Sequence, residues 1–125
     1  MQLLAIAAGG ALGAMARFGA SHGVHTLLGR TFPYGTLTVN VAGSFFIGVL
    51  FVLMTERLEL GAHWRAFLMV GFLGAFTTFS TFSLETVELL EAGALLKAIT
   101  SVTLNVALCL GAAWSGLHLS RAALL

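Results

Sequence analysis

The chain has 125 residues, of which 58% are hydrophobic and only 9% charged. With a mean hydropathy of +0.99, it carries more apolar surface than a soluble domain of this length can hide in one core, so it reads as an integral membrane protein. A net charge of +1, with basic residues scattered singly, leaves no electrostatic footprint for nucleic acid.

The first apolar run, 3–28, is interrupted only by Arg17 and two histidines. No Lys or Arg precedes Arg17, so the basic start of a signal peptide is missing and this run is expected to remain as a membrane span. Gly9, Gly10 and Gly13, and then Gly19 and Gly23, are spaced to let helix backbones approach closely in lipid. Ser21 and His22 lack a partnering carboxylate, and His22 with His25 lacks a third metal ligand. Both histidines are read as surface residues, and no enzyme chemistry is expected. Arg17 lies deep in an apolar run, where it either draws anions toward a vestibule or bonds to helix ends and snorkels.

"GRTFPYG" (29–35) holds the only proline beside two glycines and forms the first connection. The second span, 36–54, has no charged residue and buries an amide, Asn40. "TERLELGAHWR" (55–65) is the second connection, with Trp64 and arginines at the interface. The third span runs 66–90. The fourth, 97–120, carries Ser101, Asn105 and Cys109 at four-residue steps, pointing one way. Such polar groups either line a pore or join helices. Cys109 is the single cysteine, so no disulfide forms within the chain, and it reads as a packing residue. Each run is close to the roughly 20 residues needed to cross about 30 Å of hydrocarbon. The expected fold is therefore all-α: one four-helix transmembrane domain over 1–125.

The third span is chemically unusual. In "GFLGAFTTFSTFS" (71–83), Thr77, Thr78, Ser80, Thr81 and Ser83 follow Gly71 and Gly74 within one crossing. Hydroxyls can satisfy backbone groups released when a helix breaks, and glycine lowers the cost of breaking. A break over 74–78 would fall near the bilayer midplane and leave carbonyls free to ligate a cation; the alternative is an unbroken helix whose hydroxyls bond back one turn. On a continuous helix Phe72, Phe76, Phe79 and Phe82 share one face, either for packing or to turn electropositive ring edges toward an anion. Glu85, Glu88 and Glu91 then continue the helix into water, placing Glu85 at the interface, too shallow for a buried proton carrier.

Four spans put Arg57, Arg65 and Arg121 on one side and Arg30 and Lys97 on the other. Because Lys and Arg asymmetry sets orientation, so small a bias predicts insertion both ways round and an antiparallel homodimer; the alternative is that five charges are too few to set or report an orientation.

"GGALGAMAR" (9–17), "GTLTVNVAGSFFIG" (35–48) and the third-span motif, in this order, resemble the CrcB family, the Fluc fluoride channels. The resemblance covers nearly the whole chain. It implies a dual-topology antiparallel homodimer in the bacterial cytoplasmic (inner) membrane, surrounded by lipid, that passively exports fluoride through two pores. It also implies a structural sodium ion (Na+) on the two-fold axis, held by main-chain carbonyls that fall on Gly74 and Thr77. The family's aromatic box corresponds to Phe79 and Phe82, its pore amide to Asn40, and its following hydroxyls to Ser80 and Thr81. Glu85 stands for an acid near the pore mouth. The fourth span departs from the family: Ser101, Asn105 and Cys109 stand where a tyrosine and serines are usual. A small multidrug-type proton-coupled transporter, the alternative, needs an acid in the first span, where this chain has Arg17.

Overall fold

The computed structural model describes residues 1–57 and 61–124, so 58–60 of the second connection lie outside the described residues. Four helical segments are long and apolar enough to cross a membrane: Gln2–Leu28, Tyr34–Glu56, Ala62–Glu91 and Leu95–Ala123. No strand occurs among the described residues. The first span is α1 (Gln2–Leu28) and the second is α2 (Tyr34–Val52), which ends in a π-helical turn, Leu53–Arg57. The third span is compound. It comprises α3 (Ala62–Arg65), a π-helical stretch Ala66–Leu73, α4 (Gly74–Phe76), a non-helical step, and α5 (Ser80–Glu91). The fourth span is α6 (Leu95–Leu124).

The second connection is shorter than hydropathy suggests. Its residues 55–57 extend α2 and 62–65 already form α3. A helix need not stop where the apolar run stops, because its backbone bonds stay satisfied in the interface. Gly93, at φ +77°, ends α5, with Ala94 N–H donating to Leu89 O (2.8 Å) and Gly93 N–H to Leu90 O (3.1 Å). This left-handed glycine stop leads directly into α6.

Glycines decide how closely the helices pack. A Cβ on Gly9 or Gly13 would collide with the backbone at Phe67 or Phe72, and one on Gly71 would sit 2.7 Å from Ile6 O. The first span and the π-helical stretch therefore touch backbone to backbone. Gly48 and Gly116 do the same for α2 and α6, meeting Ala113 O and Phe45 O. The other two expected packing glycines behave differently: within this chain nothing lies within 4 Å of a Cβ on Gly19 or Gly23. They lie on the side of α1 turned away from the contact that Ser21 and His25 make with Gly35, which spacing along one helix cannot reveal.

Candidate functional site

The third span is broken, and the break falls at 77–79 rather than 74–78. Gly74 is still helical (φ −60°, ψ −37°), whereas Thr77 is extended (φ −89°, ψ 160°). Hydrogen bonding accounts for the shape. In an uninterrupted helix Gly74 O would accept from Thr78 N–H and Thr77 O from Thr81 N–H. Here Thr78 N–H donates instead to Asn40 Oδ1 (2.8 Å), and Thr81 N–H to Thr78 Oγ1 (3.2 Å). Thr78 thus caps α5 in the manner of an N-terminal threonine. No hydrogen bond to Gly74 O or Thr77 O occurs among the described residues. Two main-chain carbonyls one turn apart, on a glycine exposed in the single chain and on its neighbouring break residue, are hard oxygen donors suited to a small cation.

Asn40 completes the break by acting as a substitute peptide group. Its Nδ2 donates to Thr78 O (2.9 Å) while its Oδ1 accepts from Thr78 N–H, so one side chain satisfies both backbone groups of Thr78. Asn40 Nδ2 also donates to Asn105 Oδ1 (3.3 Å), and Asn105 Nδ2 donates to Ser101 O (2.8 Å) and Ser101 Oγ (3.4 Å). Thr77 Oγ1 returns to Leu73 O (3.0 Å). Gly43 leaves the room for this side chain, since a Cβ there would collide with Thr77 Cγ2.

An open groove of about 450 Å³ runs past the break, lined by Asn40, Gly43, Ser44, Thr77, Phe79, Phe82 and Asn105 among others. Gly74 and Cys109 also line it. Of the residues singled out from sequence, this brings together Asn40, Phe79, Phe82 and Asn105 with Gly74 and Thr77. Ser101 lies behind Asn105, only 1% exposed. Ser80 sits outside the groove with its hydroxyl 3.4 Å from Thr78 Oγ1, and Thr81 faces a second cleft. The phenylalanine stripe does not survive the break. Phe72 and Phe76 stack on one side (centroids 5.9 Å apart, 12° between planes), and Phe79 and Phe82 pair on the other (5.4 Å, 56°). Gly43 and Ser44 also line the groove without having been singled out from sequence, although they follow Asn40 at the three- and four-residue steps that share a helix face.

The second cleft, about 350 Å³, is lined by Arg17, His22, His25, Arg30, Thr81 and Glu85 among others. Arg17 points inward, its Nε donating to Ala75 O (3.0 Å). His25 is not a free surface residue: its Nε2 accepts from Gly35 N–H (3.1 Å) at the start of α2. Glu85 is half-buried rather than set in water, and its Oε1 has no hydrogen-bond partner among the described residues. The groove takes in the break residues Thr77, Thr78 and Phe79, the second cleft takes in Thr81, and no charged side chain lines the groove. Among the described residues, no group of three or more His, Cys, Asp or Glu could hold a metal ion.

Residues 4–117 match the family model described as CrcB-like protein, Camphor Resistance (CrcB). The chain is 58% identical to a protein of Methylococcus capsulatus named fluoride-specific ion channel FluC, over 97% of this chain and 53% of that protein. It is 49% identical to a protein of the same name from Magnetococcus marinus, over 97% of this chain and 98% of the relative. A third, from Coxiella burnetii, is 46% identical over 97% and 98%.

Proposed function

This chain belongs to the CrcB family and is a fluoride channel rather than an enzyme; on that premise we propose that it works as an antiparallel homodimer with two pores and a sodium ion on the two-fold axis. It is a multi-pass membrane protein, and the bacterial cytoplasmic (inner) membrane is where passive fluoride export would protect the cell. The observation that carries the reading is the break in the third span beside an open groove whose lining carries no charged side chain. The break brings an aromatic pair and hydroxyls to that groove, held in place by the Asn40 amide.

The physical logic is one of replacement. Fluoride holds its water tightly, so a pathway must offer weak partners in succession, and a fixed countercharge at the narrowest point would trap the ion. Phe79 and Phe82 supply electropositive ring edges. The polar side chains Asn40, Ser80, Thr81, Ser101 and Asn105 are assigned to the pathway or its support. Arg17 and Glu85 are assigned to a vestibule.

Two features support a dimer. Phe79 is 78% exposed in the single chain although it sits at the break, and the groove beside it is open. A second copy inserted the other way round would cover both. It would also bring a second pair of carbonyls from Gly74 and Thr77 to the axis, giving four oxygens for Na+. When bound, the ion would tie the two breaks together electrostatically. The multidrug-type alternative finds no support, because α1 contains no acid.

The test is fluoride efflux from liposomes containing the purified protein, with a potassium ionophore to dissipate voltage. Rapid fluoride release with chloride retained is the expected result. Retention of fluoride, or equal release of chloride, would overturn the reading.

A further inference from the structure

We propose that Asn105 is a positioning residue, which fixes the direction of the Asn40 carboxamide and through it the backbone at Thr78, rather than an ion-lining donor. The inference rests on the channel reading and deepens it, since it says how one chain builds its half of the pathway.

The argument starts from groups whose roles are chemically fixed. Thr78 N–H can only donate and Thr78 O can only accept, so Asn40 must present Oδ1 to the first and Nδ2 to the second. The remaining Nδ2 hydrogen of Asn40 then faces Asn105, which must answer with Oδ1. That leaves Nδ2 of Asn105 for Ser101 O, again an obligate acceptor, and for Ser101 Oγ. The directions deduced from the Thr78 end and from the Ser101 end agree. Reversing the Asn105 amide would set two N–H groups against each other at Asn40 and two oxygens against each other at Ser101.

A count of hydrogens completes the case. Asn40 has two N–H donors, engaged by Thr78 O and Asn105 Oδ1, and Asn105 has two, both engaged by Ser101. While the break keeps this shape, neither amide has a donor left for an anion. Asn105 is only 6% exposed and hydrogen-bonds to no backbone group of the break, so its polar influence on Thr78 passes through Asn40. Ser101, buried to 1%, is the anchor at the far end.

A double-mutant cycle in the liposome assay tests this. Asn105→Ser, which is too short to reach Asn40, should lower fluoride efflux about tenfold, and adding it to Asn40→Ser should cost nothing further, because coupled residues are not additive. Losses that multiply would show that Asn105 acts on the ion independently and would overturn the proposal. Asn105→Asp gives a second readout. A neutral carboxylic acid can still accept from Asn40 and donate to Ser101 O, whereas the carboxylate can only accept. Efflux of this variant relative to the unmodified protein should therefore rise about tenfold as the pH is lowered through the titration of that carboxyl. A ratio that stays flat across that titration would overturn the positioning role. If the unmodified protein released no fluoride, the channel reading itself would fall instead.

Discussion

Arg17 Nε donates to the carbonyl oxygen of Ala75 across 3.0 Å, joining the middle of the first helix to the last residues before the break in the third. Ala75 O would otherwise look for Phe79 N–H, which the extended residue at 77 carries away. Arg17→Met should therefore orphan a half-buried carbonyl. A hydrogen bond to a charged group contributes about 1.5–3 kcal/mol, so the variant should unfold earlier in detergent by an equivalent amount. An unchanged thermal midpoint would show that water satisfies Ala75 equally well.

Gly43 and Gly19 make a matched pair of substitutions. A Cβ on Gly43 meets Thr77 at the break, whereas one on Gly19 meets nothing within the chain. Gly43→Ala should overpack the site at a cost of about 1–3 kcal/mol and slow fluoride efflux. Gly19→Ala should be neutral or stabilise the helix by about 0.5–1 kcal/mol, because alanine loses less backbone freedom on folding. Thermal midpoints and efflux rates of both variants, measured side by side, check the contrast.

Phe82 and Phe79 should fail in different ways. Phe82 is 8% exposed, and truncating a buried phenylalanine to alanine typically costs about 3–5 kcal/mol. Phe79 is 78% exposed in the single chain, so Phe79→Ile should leave the chain's own stability nearly untouched while cutting efflux at least tenfold, the equivalent of about 1.4 kcal/mol. Normal efflux with Phe79→Ile would reduce the aromatic pair to packing.

The proposed axial cation gives a prediction that needs no mutation. Replacing sodium throughout purification and assay by a large organic cation should lower efflux and loosen the dimer, and returning sodium should restore both. A proposed site of four carbonyl oxygens would suit a small cation better than a large organic one. Efflux independent of cation identity would remove sodium from the reading.

Much of this was legible in the sequence, for a physical reason. Lipid leaves a spanning segment almost no alternative to a helix, so apolar runs locate the spans, and clustered hydroxyls in 71–83 point to the place where one of them opens. The break starts three residues later and ends one residue later than expected, because Gly74–Phe76 stay helical and the opening falls where Asn40 takes the Thr78 N–H. The even face predicted for Phe72, Phe76, Phe79 and Phe82 failed at the same point, since a shared face requires a continuous helix. The pairing of Asn40 with Thr78, and the inward reach of Arg17, were out of view because they join residues 38 and 58 positions apart. The apolar run placed Asn40 within a membrane span, but only the tertiary structure shows that it is half-buried and which backbone it serves. His25 was misread for the same reason: its partner is a backbone N–H on the next helix.

The π-helical stretch Ala66–Leu73 sends N–H groups to carbonyls five residues back, as Gly74 does to Met69. More residues are wound into each turn than an α-helix would use, so the segment stores a phase offset in the reading of the helix. Removing one residue there would let the segment relax to ordinary α-helical winding with the downstream helix kept nearly in phase, whereas winding it as an α-helix at its present length would rotate everything downstream by about 100°. In that second case Thr77 would swing away from Gly43, and Asn40 would face the wrong peptide. The π winding and the number of residues between Trp64 and Thr77 are therefore matched to each other.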